Sequence, residues 1–306
     1  MAAPGTLSDD PLRQRLFEHV DMLARVIGPR PPTKPDALHA ASAWIERHLA
    51  RSGDSVTKET YTALGEPVWN LIVERPGATK PDEIVIVAAH YDSLLQTPGA
   101  DDNASAVAML VEVLHALTGR QFRRTLRFIA LTCEEPPYFN LGSMGSQIHA
   151  RGCRERGENI HAMLALEMVG YYRDEPGSQS LPPGIPRALR WLFPKRANFL
   201  AAVGNPRSAR LLWPFRRGFK RGSKMPLFTV ALPESIHEIR RSDNSSFWDQ
   251  GYRALMITDT SFLRNPHYHE PTDTPDTLDY TRLAEATRGV TEAVARLAGE
   301  HSASGL

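Results

Sequence analysis

The sequence predicts an α/β fold with a mostly parallel central sheet flanked by helices, and three observations predict it. Ile84 to Ala89 is a continuous apolar run, and Leu126 to Thr132 and Ala162 to Met168 are mostly apolar and of strand length, as strands covered on both faces are. Segments with apolar residues at helical spacing alternate with these runs. Polar, metal-competent side chains stand where the runs end, and open α/β sheets place their sites at strand carboxyl ends.

In chain order, Leu12, Leu16, Val20, Leu23, Ala24 and Ile27 recur at helical spacing after the capping-type Ser8-Asp9-Asp10, and Gly28 to Pro32 ends that helix. A second helix is expected from about Ala37 to Ala50, stopped by Gly53. Val56 to Thr62 and Asn70 to Glu74 are short strand candidates, followed by the Ile84 run. A helix is expected from Ser105 to Leu117, with Val107, Leu110, Val111 and Leu114 facing a sheet. Gly145 to Arg151 reads as helix, Ala254 to Thr258 as a short strand, and Thr281 to Ala298 as a closing amphipathic helix.

The totals narrow the function classes. With 23% charged and 42% hydrophobic residues, the 306-residue chain has a globular composition. A net charge of +1 gives no general bias toward nucleic acid or acidic membranes, and no nucleic-acid partner is expected. Cys133 and Cys153 are too few for a disulfide framework, and Cys133 reads as a small core residue. No run of about 18 apolar residues predicts a membrane span. The first ten residues lack signal-peptide character, so a cytoplasmic location is expected. One segment stands apart: Pro176 to Pro233 carries eleven Lys and Arg, nine of the 24 prolines and no Asp or Glu. It reads as a basic insertion with solvated charges, or else as a lid or a patch for an acidic partner.

Candidate chemistry collects at the strand ends. The Ile84 run leads into His90-Tyr91-Asp92, the Leu126 run into Glu134-Glu135, and the Ala162 run into Glu167. His90 and Asp92 share a side of an extended strand, which makes Asp92 a candidate to orient the ring of a metal-binding His90. Adjacent Glu134 and Glu135 cannot approach one atom alike, so one can bind metal while the other handles a water proton. In Pro98 to Ser105, Asp101 and Asp102 are either helix caps or a source of a bridging carboxylate. His269 lies in a Pro-rich loop between Pro266 and Thr274, with carboxylates nearby.

Taken together, His90-Tyr91-Asp92-Ser93, Gly99 to Ser105, Glu134-Glu135 and Tyr268-His269 with Asp273-Thr274 resemble the successive motifs of the co-catalytic two-zinc aminopeptidase and carboxypeptidase family. That family includes bacterial leucine-type aminopeptidases, glutamate carboxypeptidase and, in a one-zinc branch, glutaminyl cyclase. The match runs in order from about Asn70 to Asp279. The resemblance implies one zinc-exopeptidase domain over residues 1–306, with the basic stretch at about 176–233 as an insertion. It implies two Zn2+ per chain: His90 and Glu167 on one, Glu135 and His269 on the other, Asp102 bridging. Glu134 would be the general base for a metal-activated water, Asp92 the orienter of His90, and Tyr268 an oxyanion donor or a packed aromatic. It also implies a cis peptide after Asp102. Two departures stand out: Glu167 replaces the commoner Asp, and Pro136 to Leu141 lengthens the loop after Glu135.

Peptides are the expected partners, with removal of the amino-terminal residue preferred because Glu134, Glu167 and Asp243 would attract a terminal ammonium. A carboxypeptidase would need cations such as Arg207, Arg210 or Arg240 over the cleft. A glutaminyl-peptide cyclotransferase would need one zinc, and a non-catalytic binding domain would have lost ligands that this chain keeps.

Overall fold

A computed structural model of the chain describes residues 10–300. In order, the elements are α1 (Pro11–Asp21), α2 (Pro35–Ala50), β1 (Val56–Ala63), β2 (Glu66–Arg75), β3 (Lys80–His90), α3 (Ala106–Ala116), β4 (Arg124–Leu131), α4 (Gly145–Glu155) and β5 (Asn159–Glu167). They continue with β6 (Leu200–Gly204), α5 (Ala209–Gly222), β7 (Leu227–Ala231), α6 (Asn244–Asp249), β8 (Ala254–Thr258) and α7 (Tyr280–Ala298). The strands form one eight-stranded sheet in the order β1-β2-β4-β3-β5-β8-β6-β7. The centre, β4-β3-β5-β8, is parallel as expected. The sheet as a whole is mixed, because β1, β2 and β4 pair antiparallel, as do β6 and β8.

The alternation within β3 explains why it sits centrally. Val85, Val87 and Ala89 enter one core with α3 and α7, while Ile84, Ile86 and Ala88 enter another with Cys153 of α4 and Phe247 of α6. Both faces are apolar, so the strand reads as one continuous run. Helix starts follow local chemistry. Asp10 accepts from the Leu12 amide with Pro11 at the first turn, whereas Ser8 and Asp9 of the expected cap lie outside the described residues. Pro35 opens α2 two residues before the expected start for the same reason.

The basic segment from Pro176 to Pro233 contains β6, α5 and β7, so two strands of the sheet lie inside it. The sequence reading found no elements there. β6 and β7 are only five residues long, and Pro214 lies inside α5. The segment's basic residues include the outward side of α5, whose apolar stripe of Leu211, Phe215 and Phe219 is buried against α7. That contact needs glycine: a Cβ on Gly218 would run into the backbone of Glu292 and Ala293.

Behind the sheet, α3 carries one acid, Glu112, which is 2% exposed. It accepts from Arg15 at 2.9 Å and approaches His19 Nε2 at 3.0 Å. Burial opposes its ionisation, but His19 and Arg15 outweigh that and hold the carboxyl down at about 2. The folded pKa lies below the unfolded one, so the stabilisation is present above the ordinary value near 4.5 and fades as pH falls toward 2. The stability difference between wild type and Glu112→Gln is therefore expected to shrink as pH drops through that window. Denaturant titrations of both proteins at stepped pH would measure it; a difference independent of pH would remove this account.

Candidate metal centre

The parallel strands deliver their ends to one place. β3 ends on His90, β5 ends on Glu167, and the loop after β4 carries Glu134 and Glu135. Asp102 comes from the turn before α3 and His269 from the loop after β8. Two groups of side chains converge there: His90, Asp102 and Glu167, and Asp102, Glu135 and His269. Asp102 belongs to both, one oxygen to each: Oδ1 is 3.4 Å from His90 Nε2, and Oδ2 is 3.2 Å from His269 Nε2. His90 Nε2 lies 3.5 Å from Glu167 Oε2, and His269 Nε2 lies 3.3 Å from Glu135 Oε2.

These separations suit ligands around a shared ion. Zinc bonds of about 2.0–2.1 Å at tetrahedral angles put neighbouring ligand atoms about 3.3 Å apart. The donors are also unspent: His90 Nε2, Asp102 Oδ1, Glu135 Oε1 and His269 Nε2 are buried without a hydrogen-bond partner. Buried polar atoms are normally paired, so four orphans facing one spot fit a cation-binding set. The electrostatics agree. Burial disfavours charge on His90, yet Glu134, Glu167, Asp102 and Asp92 overcome it and hold the imidazole well above its ordinary pKa. Burial pushes Glu135 up to about 7, with Asp102 adding repulsion. Burial also raises Glu134 well above the carboxylate range, with Glu167, Glu135 and Asp243 adding to it. At His90 the acidic neighbours outweigh burial, and the same neighbours would stabilise a metal dication.

A second set of contacts fixes the donors. His90 Nδ1 donates to the Asp92 carbonyl oxygen at 3.2 Å, which leaves Nε2 free to coordinate. The Asp92 carboxylate, expected to take that ring proton, stands 3.6 Å from Nδ1. It instead accepts the backbone N–H groups of Glu134 and Glu135, at 3.2 and 3.1 Å. Asp273 does the same for the Asp101 and Asp102 amides. Asn103 ties the turn to the end of β5, donating to Leu166 O and accepting from Met168 N. The Asp102–Asn103 peptide is cis. Ser242 donates to Glu167 Oε2 at 2.7 Å. Gly99, at φ +66°, turns the chain tightly before Asp102, and a Cβ there would strike the Asp102 carbonyl oxygen.

Sequence reasoning missed Arg30. It is fully buried, and its guanidinium donates to five carbonyl oxygens, those of Leu23, Gly28, Tyr91, Pro98 and Gly99. It thereby joins the end of the first helical segment to both loops that carry His90 and Asp102. Nothing in Gly28 to Pro32 distinguishes this arginine from an ordinary turn residue.

Glu134 reaches to 3.9 Å from His90 Nε2 and belongs to neither donor group. Tyr268 stacks on the His269 ring at 3.7 Å, and its hydroxyl accepts from Arg241 at 3.4 Å. Beside Glu167 and Tyr268 opens an apolar cavity of about 90 Å³, lined by Phe193, Phe199, Phe228, Val230 and Met256. Asp243 is 1% exposed and lies within electrostatic reach of His90 and Glu167. Of the cations weighed for a carboxypeptidase, Arg240 is engaged by Glu234 and Asp249, and neither Arg207 nor Arg210 lines the cavity; Arg241 does.

Comparison with known proteins places this arrangement. The model of Peptidase family M28 matches residues 70–294. YfbL of Escherichia coli K12 is 34% identical over 285 residues, spanning 90% of this chain and 86% of that one. Among solved structures, the zinc aminopeptidase BSAP from Bacillus subtilis superposes with a TM-score of 0.70 at 15% identity, covering 94% of this chain and 95% of that one. Glutaminyl cyclase of Bacteroides thetaiotaomicron gives 0.64 at 16% identity, covering 92% and 97%. At these identities the two structures share the fold with this chain.

Proposed function

The chain belongs to Peptidase family M28, and from that premise we propose that it removes amino-terminal residues from peptides as a two-zinc aminopeptidase. The observation that carries the proposal is the pair of three-residue donor groups sharing Asp102 through its two oxygens. In this reading His90 and Glu167 would hold one zinc and Glu135 and His269 the other, with Asp102 available to both. When bound, the ions supply Lewis acidity that polarises a substrate carbonyl and lowers the pKa of a water.

The remaining steps belong to the protein. Glu134 is buried and its amide is pinned by Asp92, so its carboxylate is held beside the donor cluster without being used by it. It takes the proton of the attacking water and returns it to the leaving amine. Tyr268, stacked on His269, is placed to hydrogen-bond charge developing on the carbonyl oxygen, and Arg241 orients its hydroxyl. Glu134, Glu167 and Asp243 are buried around the donor cluster, and a substrate ammonium entering there would find these acids as partners. The apolar cavity beside Glu167 receives the side chain of the residue being removed.

The expected result is hydrolysis of peptides with free amino termini, abolished by chelator and restored by zinc. Residues such as Leu and Phe should exceed Lys and Glu in kcat/KM by at least about tenfold, since an apolar cavity cannot compensate a buried charge. Equal cleavage of amino-acetylated peptides would point to a carboxypeptidase, with Arg241 the cation at hand. Cyclisation of amino-terminal Gln without hydrolysis would point to the cyclotransferase.

A further inference from the structure

The 3-10 turn Arg187–Leu192 lies in the acid-free segment and has no buried residue. Trp191 is 74% exposed, the highest among the large apolar side chains of the described residues, and Leu189 and Leu192 are 47% and 51% exposed. Side chains of this kind normally find cover, and a cluster that does not marks a contact surface. The turn is held at its base. Phe193 packs against Phe228 of β7 at 5.3 Å between ring centroids, and Pro182 and Phe193 line the apolar cavity. Leu189, Trp191 and Leu192 are therefore exposed just before Phe193, which lines the cavity, with Arg187, Arg190 and Lys195 close by in sequence.

We propose that this turn is a peripheral membrane contact, in which Trp191, Leu189 and Leu192 enter the headgroup region of an anionic lipid surface and the neighbouring cations hold it there. Two features select this occupant. The apolar side chains stand out from a turn that buries nothing, which suits a deformable layer better than a groove on a folded partner. Four cations, Arg187, Arg190, Lys195 and Arg196, stand within five residues of Trp191 and complement anionic headgroups. A second copy of the chain would bring the same cations to a symmetric contact and be repelled. Tryptophan with flanking Lys and Arg is the composition found at membrane interfaces. No helix among the described residues is long and apolar enough to cross a membrane, so the contact would be peripheral. It would present the cavity mouth to peptides held at the lipid surface, independently of which peptide bond is cut.

The test is flotation of the full chain with vesicles of phosphatidylcholine alone or with about one quarter phosphatidylglycerol. The expected result is recovery with the anionic vesicles, diminished by salt, and little with the neutral ones. Trp191→Ser with Leu192→Ser, and separately Arg187→Glu with Lys195→Glu, should each lower the partition coefficient about fivefold or more. Hydrolysis of a short soluble peptide and the melting temperature should stay unchanged in both variants. Equal recovery on both vesicle types, or variants that float like wild type, would overturn the proposal. So would concentration-dependent dimerisation abolished by the Trp191 and Leu192 changes without any vesicle binding.

Discussion

Glu134→Gln is expected to lower kcat by about 10²–10⁴-fold, the usual contribution of a positioned general base. The amide keeps the size and shape of the carboxyl, and Glu134 is in neither donor group, so zinc content should match wild type. The Asp92 contact is to the Glu134 backbone and survives the change. Melting temperature should not fall, because the amide replaces a carboxyl whose ionisation burial opposes. Steady-state kinetics with metal analysis on one preparation check this. Activity equal to wild type would remove Glu134 from the mechanism while leaving the metal ligands untouched.

The largest effect on stability is expected at Arg30. Arg30→Met keeps an apolar chain of similar reach but withdraws every hydrogen bond offered to five carbonyl oxygens, four of them within a fully buried contact. Each buried acceptor left bare costs about 1–3 kcal/mol, so the sum should be at least about 3 kcal/mol after relaxation. Burial pulls this guanidinium down to about 10, which still leaves it charged near neutrality. The cost should therefore be nearly flat between pH 6 and 8, unlike that of a titrating group. A fall in melting temperature of roughly 5 °C or more is expected. Because Arg30 braces the loops behind both His90 and Asp102, zinc should also dissociate more readily. Scanning calorimetry with a zinc-exchange assay would read both effects, and an unchanged melting temperature would contradict the bracing role.

These two residues mark how far the sequence could be read. The position of Glu134 beside the donor cluster was legible because it follows a buried strand and neighbours Glu135, although the spacing alone did not say which of the two would bind metal. Strand β3 was legible because burial on both faces writes an unbroken apolar run, and β4 and β5 because their runs are nearly so. Arg30 was not legible, because its five acceptors are backbone atoms brought together only by the folded loops. β6 and β7 were missed for a related reason: strands of five residues in a basic, Pro-rich segment carry too little pattern to stand out. Asp92 stands 3.6 Å from Nδ1 of His90, the ring it was expected to orient, and it has a second role that the spacing did not announce. Two-residue spacing puts it on the His90 side of the strand, yet β3 ends at His90, and beyond that point the carboxylate turns to the Glu134 and Glu135 amides. Ser242 supports Glu167 from a distant loop that no local pattern announces, whereas Asp273 was legible with the Tyr268-His269 motif but without its contacts to the Asp101 and Asp102 amides.

The central claim is that two donor groups sharing Asp102 hold two ions, and metal counting tests it most directly. Purified protein saturated with zinc and dialysed should retain two ions per chain by elemental mass spectrometry, one for each donor group. His269→Ala should retain one, because the His90, Asp102 and Glu167 group is left whole. A single zinc in the wild-type chain, undiminished by His269→Ala, would contradict the account.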